Sequence, residues 1–233
     1  LHLFTDFIVS NSQTNIDMVT KINPLLKKGK LRVIYNSVDN TKWIPSTEYT
    51  PYNNSKYSIL VASSHQHHKN AQGLIEAVHM LPSNLKNKIV INWYGDESPD
   101  SSYKQNLLLL KQYNLEKIIF FHKATNDIRT KMQYADVVGL FSKYEGLPNV
   151  ICEAMTIGKP VMSSNVSDLP FLLNGTNNIL FDPQKKTEII KAFEKLITTS
   201  KKELFEIGLD NRSISLNLFE NKTIIKNYIS LLK

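Results

Sequence analysis

From residue 58 to residue 198, short runs of β-branched and aromatic side chains alternate with stretches of helical period. Residues 58–62 read SILVA and 89–94 read IVINWY, both nearly continuous apolar runs. Further strands are predicted at 117–121, 137–141, 161–164 and 178–181. Between them lie helical stretches at 71–81, 103–113, 128–134, 149–157 and 185–198. In the first of these Leu74, Ile75, Val78 and Leu81 recur at the spacing of one helix face, and Pro82 then stops it. Asp127 is placed to cap 128–134, and Gly158 with Pro160 to end 149–157. Strands alternating with helices of this length imply βαβ units around a parallel sheet. Continuous apolar strands fit a sheet covered by helices on both faces. The expected fold is α/β, a Rossmann-like doubly wound parallel sheet.

Residues 1–50 follow another pattern. Strands at 7–9 and 31–35 flank a helix at about 13–22, one βαβ piece and too little for a domain. Residues 41–56 contain Pro45, Pro51, Asn53 and Asn54 and read as a linker. At the other end, a polar break near 211–217 precedes a last helix at 221–232. The expected organisation is thus 1–50, 51–216 and 217–233.

Composition removes several classes of function. With 42% hydrophobic and 21% charged residues, the 233-residue chain has a core to build and is not disordered. A single cysteine rules out an internal disulfide and a Cys-rich zinc site. No apolar run is long enough for a transmembrane helix, and residues 1–25 lack signal-peptide character. The five Asn-x-Ser/Thr matches are chance in so Asn-rich a chain. The net charge is +7, but residues 51–184 carry only +1 and residues 185–233 carry +4. A nearly neutral middle argues against a nucleic-acid partner. The basic C-terminal helices read as a solvated face, with peripheral contact to an anionic membrane as the sharper alternative.

Ligands of doubly wound sheets bind at the carboxyl ends of the strands. One such loop opens the segment SKYEGLPNVICEAMTIGKPVMS at 142–163. Glu145 lies in the loop and Glu153 about one turn into the helix that follows, with Pro148 suited to its first turn. Two carboxylates bracket a helix N-terminus. The N-terminus favours a phosphate, and carboxylates accept hydrogen bonds from sugar hydroxyls. A phosphate beside polyols describes a nucleotide sugar.

Glu-x7-Glu within EGLPNVICEAM, followed by GKPV, resembles the donor-binding domain of family-four glycosyltransferases of the GT-B fold. Residues 35–39 (YNSVD) are similar to that family's interdomain N-G-V-D segment, with Ser37 in place of Gly. Residues 60–77 resemble the opening of its C-terminal domain, with Lys69 at the family's lysine. The resemblance implies that Lys69 binds the donor diphosphate and stabilises the leaving group. It implies Glu145 beside the sugar ring and Glu153 on the ribose hydroxyls. It places Gly146, Leu147, Asn149 and Val150 against sugar and phosphate, and Ser64 and His122 at the nucleotide. It implies a retaining transferase with no metal and no cofactor, using a nucleotide-sugar donor and a saccharide or lipid-linked acceptor. The setting implied is cytoplasmic surface-polysaccharide or glycolipid synthesis.

Departures from the family pattern are visible. Ser64 stands where the family has Arg, so either donor-phosphate affinity is expected to be lower or His65, His67 or His68 is expected to substitute. Phe171 stands for a frequent Glu, Ser167 for a frequent Gly, and His122 for a common Gly. Cys152, Trp93, Phe120 and Phe121 read as core, and the three histidines lack a fourth partner for zinc. A nucleotide-sugar epimerase of the same architecture and a non-catalytic sugar-nucleotide module are the competing readings. Beginning at Leu1 with one βαβ piece, the chain is expected to be part of a longer transferase that binds donor weakly and transfers nothing unaided.

Overall fold

A computed structural model describes residues 4–46, 56–97 and 99–232. In chain order the elements are β1 (Ile8–Ser10), α1 (Gln13–Ile22), β2 (Leu31–Val33), β3 (Tyr57–Ala62), α2 (Ala71–Met80), α3 (Ser83–Lys86), β4 (Ile89–Tyr94) and α4 (Ser102–Gln112). They continue with β5 (Ile119–His122), α5 (Ile128–Tyr134), β6 (Val137–Leu140), α6 (Asn149–Ile157), β7 (Val161–Ser164) and α7 (Leu169–Leu172). The last four are β8 (Ile179–Phe181), α8 (Lys186–Thr198), α9 (Lys201–Leu218) and α10 (Asn221–Leu231).

The main sheet has six parallel strands in the order β5-β4-β3-β6-β7-β8. The order reverses between β3 and β6, and a crevice opens there at the carboxyl ends of both strands. Side chains of alternate strand residues feed two cores. Ile59 and Val61 of β3 pack with α2, α4 and α8, whereas Leu60 packs with α5, α6 and α7. The sheet is therefore doubly wound, as its apolar pattern implies. β1 and β2 form a separate parallel pair, with α1 as their crossover. Of the predicted linker, residues 47–55 lie outside the described residues.

One expectation fails clearly. The polar stretch 211–217 is not a break but lies in the C-terminal half of α9, an 18-residue helix. Ser200 and Glu203 open it with a reciprocal capping box. Two of its polar residues, Asn211 and Ser215, face inward. Asn211 donates to the Lys159 carbonyl at 2.8 Å and pairs with the Asn178 carboxamide, and Ser215 bonds Thr156. Gly208 lets α9 meet the end of α6, since a Cβ there would lie 2.1 Å from the Gly158 carbonyl oxygen. Gly158 itself ends α6 with φ of 82°, the left-handed conformation expected of that glycine.

Smaller differences have equally local causes. Asp127 precedes α5 but its side chain makes no capping bond and instead faces Lys131 at 3.8 Å. Phe120, on edge strand β5, is 36% exposed, so it is not core as expected, whereas Trp93 is fully buried. Predicted strand ends shift by one or two residues, as fraying ends do.

Candidate active site at the sheet switch point

The loops after β3 and β6 face each other across the point where strand order reverses. The Lys143 amide donates to the His68 carbonyl at 2.8 Å, tying the two loops by their backbones. This link brings Lys69 and Glu145 together. Lys69 Nζ lies 2.6 Å from Glu145 Oε1, and both side chains are largely buried. The same Oε1 accepts from the Ser142 hydroxyl at 2.6 Å, and Ser142 is buried. Charge-assisted bonds from two sides hold the carboxylate in one orientation.

The β3 loop is shaped by its neighbour after β4. A Cβ on Gly95 would lie 1.8 Å from the Ser63 carbonyl oxygen, so only glycine permits this approach. That carbonyl accepts from the Trp93 indole at 2.7 Å. Residues 67–69 then turn as a short 3-10 helix, and Asn70 takes the left-handed conformation that starts α2.

The β6 loop passes through Gly146 and buried Leu147 into α6, with Pro148 just before the first helical residue. No side chain caps α6. The amides of Asn149 and Val150 have no helical carbonyl to reach, so the start of α6, four residues past Glu145, carries partial positive charge.

Glu153, one turn further, is half-buried on α6. It lines a cavity of about 370 Å³ with Asn36, Asp39, Trp43, Asn149 and Tyr228. Burial pushes its carboxyl up to about 7, against a smaller opposing pull from Lys42. Asn36 donates to the Asn149 side chain at 2.7 Å, so the segment 35–39 reaches the first turn of α6.

The remaining predicted residues divide. Ser64 sits in the β3 loop, half-buried, at the crevice. His122 ends β5, two strands away from β3. Its ring stacks on Tyr94 at 4.5 Å and its Nε2 pairs with the Asn92 carboxamide at 2.9 Å. It is not joined to the Lys69–Glu145 pair. His65 does not replace the family's arginine. It is fully buried among Trp93, Tyr103 and Phe121, and burial pulls it down to about 4. His68 stacks on Tyr144 at 4.7 Å, and burial, then Lys69, hold it below the ordinary imidazole value. Cys152 is buried in the core and burial raises its thiol, as expected of an unreactive cysteine.

Sequence reasoning missed two groups. Asn11 and Asn15 approach Gly146, and Asp168 bonds the start of α1. Ser12 as the cap of α1, accepting from the Asn15 amide at 3.2 Å, was within reach of cap rules; the Asp168 contacts had no local signal.

Among the described residues no group of three or more His, Cys, Asp or Glu side chains is placed to hold a metal, and no helix is long and apolar enough to cross a membrane.

A family model described as glycosyl transferases group 1 matches residues 48–204. Among curated proteins, the Vi polysaccharide biosynthesis protein VipC/TviE of Salmonella typhi is 34% identical over 87 residues, 36% of this chain and 15% of that protein. An uncharacterised 41.2 kDa protein in the cps region of Klebsiella pneumoniae is 22% identical over 98% of this chain and 62% of its own length. Among solved structures, Anabaena Alr3699/HepE in complex with UDP and glucose superimposes with a TM-score of 0.85 at 21% identity, over 99% of this chain and 64% of that one. Sucrose-phosphate synthase from Thermosynechococcus elongatus superimposes with a TM-score of 0.81 at 19% identity, over 98% of this chain and 58% of that one. The chain spans less than two thirds of the length of each of these four proteins.

Proposed function

The chain belongs to the glycosyl transferases group 1, and from that premise we propose that it is the donor-binding part of a GT-B enzyme moving a sugar from a nucleoside diphosphate sugar to a saccharide or lipid-linked acceptor. The observation that carries this reading is the Lys69–Glu145 pair at 2.6 Å beside the N-terminus of α6, at the sheet switch point.

Transfer breaks the bond between the sugar's anomeric carbon and the diphosphate. Negative charge develops on the departing phosphate oxygen, and positive character develops on the sugar ring. In this reading Lys69 and the α6 amides receive the first. Glu145, turned to the sugar, stabilises the second. Glu153 accepts from the ribose hydroxyls. Because a cation and a helix N-terminus already supply the charge that the leaving group needs, we read the reaction as metal-independent. Retention of anomeric configuration follows the family resemblance.

UDP is the donor nucleotide favoured by the HepE complexes. Surface polysaccharide is the product favoured by the names of the Vi and cps relatives. Residues 1–50 are proposed to belong to the acceptor side and α10 to pack against it. The setting is cytoplasmic, with the basic C-terminal helices, net +4 over residues 185–233, towards the inner membrane face.

Calorimetry with UDP tests the reading. Binding is expected below millimolar concentration, and Glu145→Gln should leave it within about threefold while lowering sugar transfer by the complete enzyme roughly a hundredfold or more. Absence of UDP binding at millimolar ligand, or undiminished transfer by Glu145→Gln, would refute it.

A further inference from the structure

Away from the Lys69–Glu145 pair, the Asp168 carboxylate bonds far back along the chain. Asp168 immediately precedes α7, and it is 4% exposed. Its Oδ2 accepts from the Gln13 amide at 2.7 Å and from the Tyr35 hydroxyl at 3.1 Å. Its Oδ1 accepts from the Thr14 amide at 3.1 Å and the Thr14 hydroxyl at 3.2 Å. Four donors nearly fill the capacity of an ionised carboxylate. All four come from residues 13–35, more than 130 positions earlier.

The chemistry of each donor suits a negative charge. Gln13 and Thr14 open α1, where amides have no helical acceptor and the helix dipole favours an anion. The Tyr35 phenol is pushed up by burial and then by Asp168, so it stays protonated and donates. α1 is thereby fixed end-on against the six-stranded unit. That docking brings α1 to the β6 loop. A Cβ on Gly146 would lie 3.6 Å from Asn15 Nδ2 and 3.8 Å from Asn11 Oδ1. Asn15 also donates to Asn11 at 3.4 Å.

We propose that Asp168 is a positioning residue that latches α1 to the donor-binding unit, so that the Asn11 and Asn15 carboxamides form the wall of the donor-sugar subsite facing Gly146. The subsite part of this rests on the proposed function. Asp168 touches no substrate and acts through α1. Carboxamides offer both a donor and an acceptor, which suits them to discriminate the hydroxyl pattern of a hexose.

Hydrogen exchange on this chain tests the latch directly. Asp168→Asn should speed exchange of the Gln13 and Thr14 amides at least about tenfold while β3 and β6 keep wild-type protection. Tyr35→Phe, which removes one bond of four, should give a smaller change of the same sign and guards against loss of folding in the first variant. Unchanged exchange at Gln13 and Thr14 in both would overturn the latch. Calorimetry tests the subsite with UDP and with the UDP-sugar that the wild type binds best. Asn15→Ala should leave UDP affinity within about twofold and reduce the advantage of the UDP-sugar over UDP by about fivefold or more. An unaltered advantage would overturn the subsite. Failure of the wild type to bind UDP would instead sink the reading of the site itself, while exchange still decides the latch.

Discussion

Glu153 offers a sharp test, because burial and the proposed ribose contact push its ionisation in opposite directions. In the protein as it stands, burial lifts the carboxyl from the ordinary 4.5 to about 7. Two ribose hydroxyls donating to it would favour the ionised form and draw it back down. At pH 6 a group at about 7 is roughly nine-tenths protonated, so nucleotide binding should release about 0.9 proton; at pH 8 it should release about 0.1. The same linkage makes affinity about tenfold weaker at pH 6 than at pH 8. Calorimetry in buffers of different ionisation enthalpy reads both quantities. The nucleotide's own phosphate titrates near pH 6, so Glu153→Gln is the control that keeps the ligand and removes the group. The variant should lose the Glu153 share of proton release and of pH dependence, and should bind more weakly at pH 8. If wild type and variant show the same proton release and the same pH slope, the ribose assignment is wrong. Stability carries a matching sign. An acid with a raised folded value stabilises the fold fully below about pH 4.5 and loses that contribution as pH rises through about 7. Thermal melts of the wild type should therefore fall relative to Glu153→Gln over that window.

Three further outcomes are expected. Lys69→Ala removes a charge-assisted contact and leaves Glu145 with only the Ser142 hydroxyl, so UDP affinity should fall roughly ten- to a hundredfold by calorimetry. Gly208→Ala drives a methyl into the Gly158 carbonyl region at 2.1 Å, and chemical denaturation should show a loss of about 1–3 kcal/mol with α6 displaced. Asn211→Ala removes its bonds to the buried Asn178 carboxamide, which keeps Val161 and Thr176, and takes the Asn211 donor from the Lys159 carbonyl, for a loss of about 1–3 kcal/mol in the same measurement, whereas Asn217→Ala on the exposed side should be nearly neutral.

The doubly wound sheet was legible because its strands are continuous apolar runs and its helices α2, α6 and α8 keep a helical period. Alternating residues of β3 divide between two cores, and such a strand has no polar face to hide. The Glu145–Glu153 segment was legible for a related reason. A loop, a proline and a helix start are local features, so their order along the chain already places both carboxylates. Helix α9 was not legible, because its inward face carries Gly208, Asn211 and Ser215. Polarity there signals hydrogen-bond partners on α6 and before β8, not exposure.

The same distinction separates His65 from His68. Three residues apart in one loop, they look interchangeable in sequence. Packing puts one among three aromatic rings and leaves the other against Tyr144 at the crevice. Asp168 is the extreme case, since its four donors lie more than 130 residues away. Sequence by itself determined the elements, the parallel sheet and the loop that carries the chemistry, because neighbours along a chain share a face through the fixed periods of helix and strand. Only the tertiary structure decided which polar groups are buried and what they bond, because those partners meet through folding and leave no trace in local spacing.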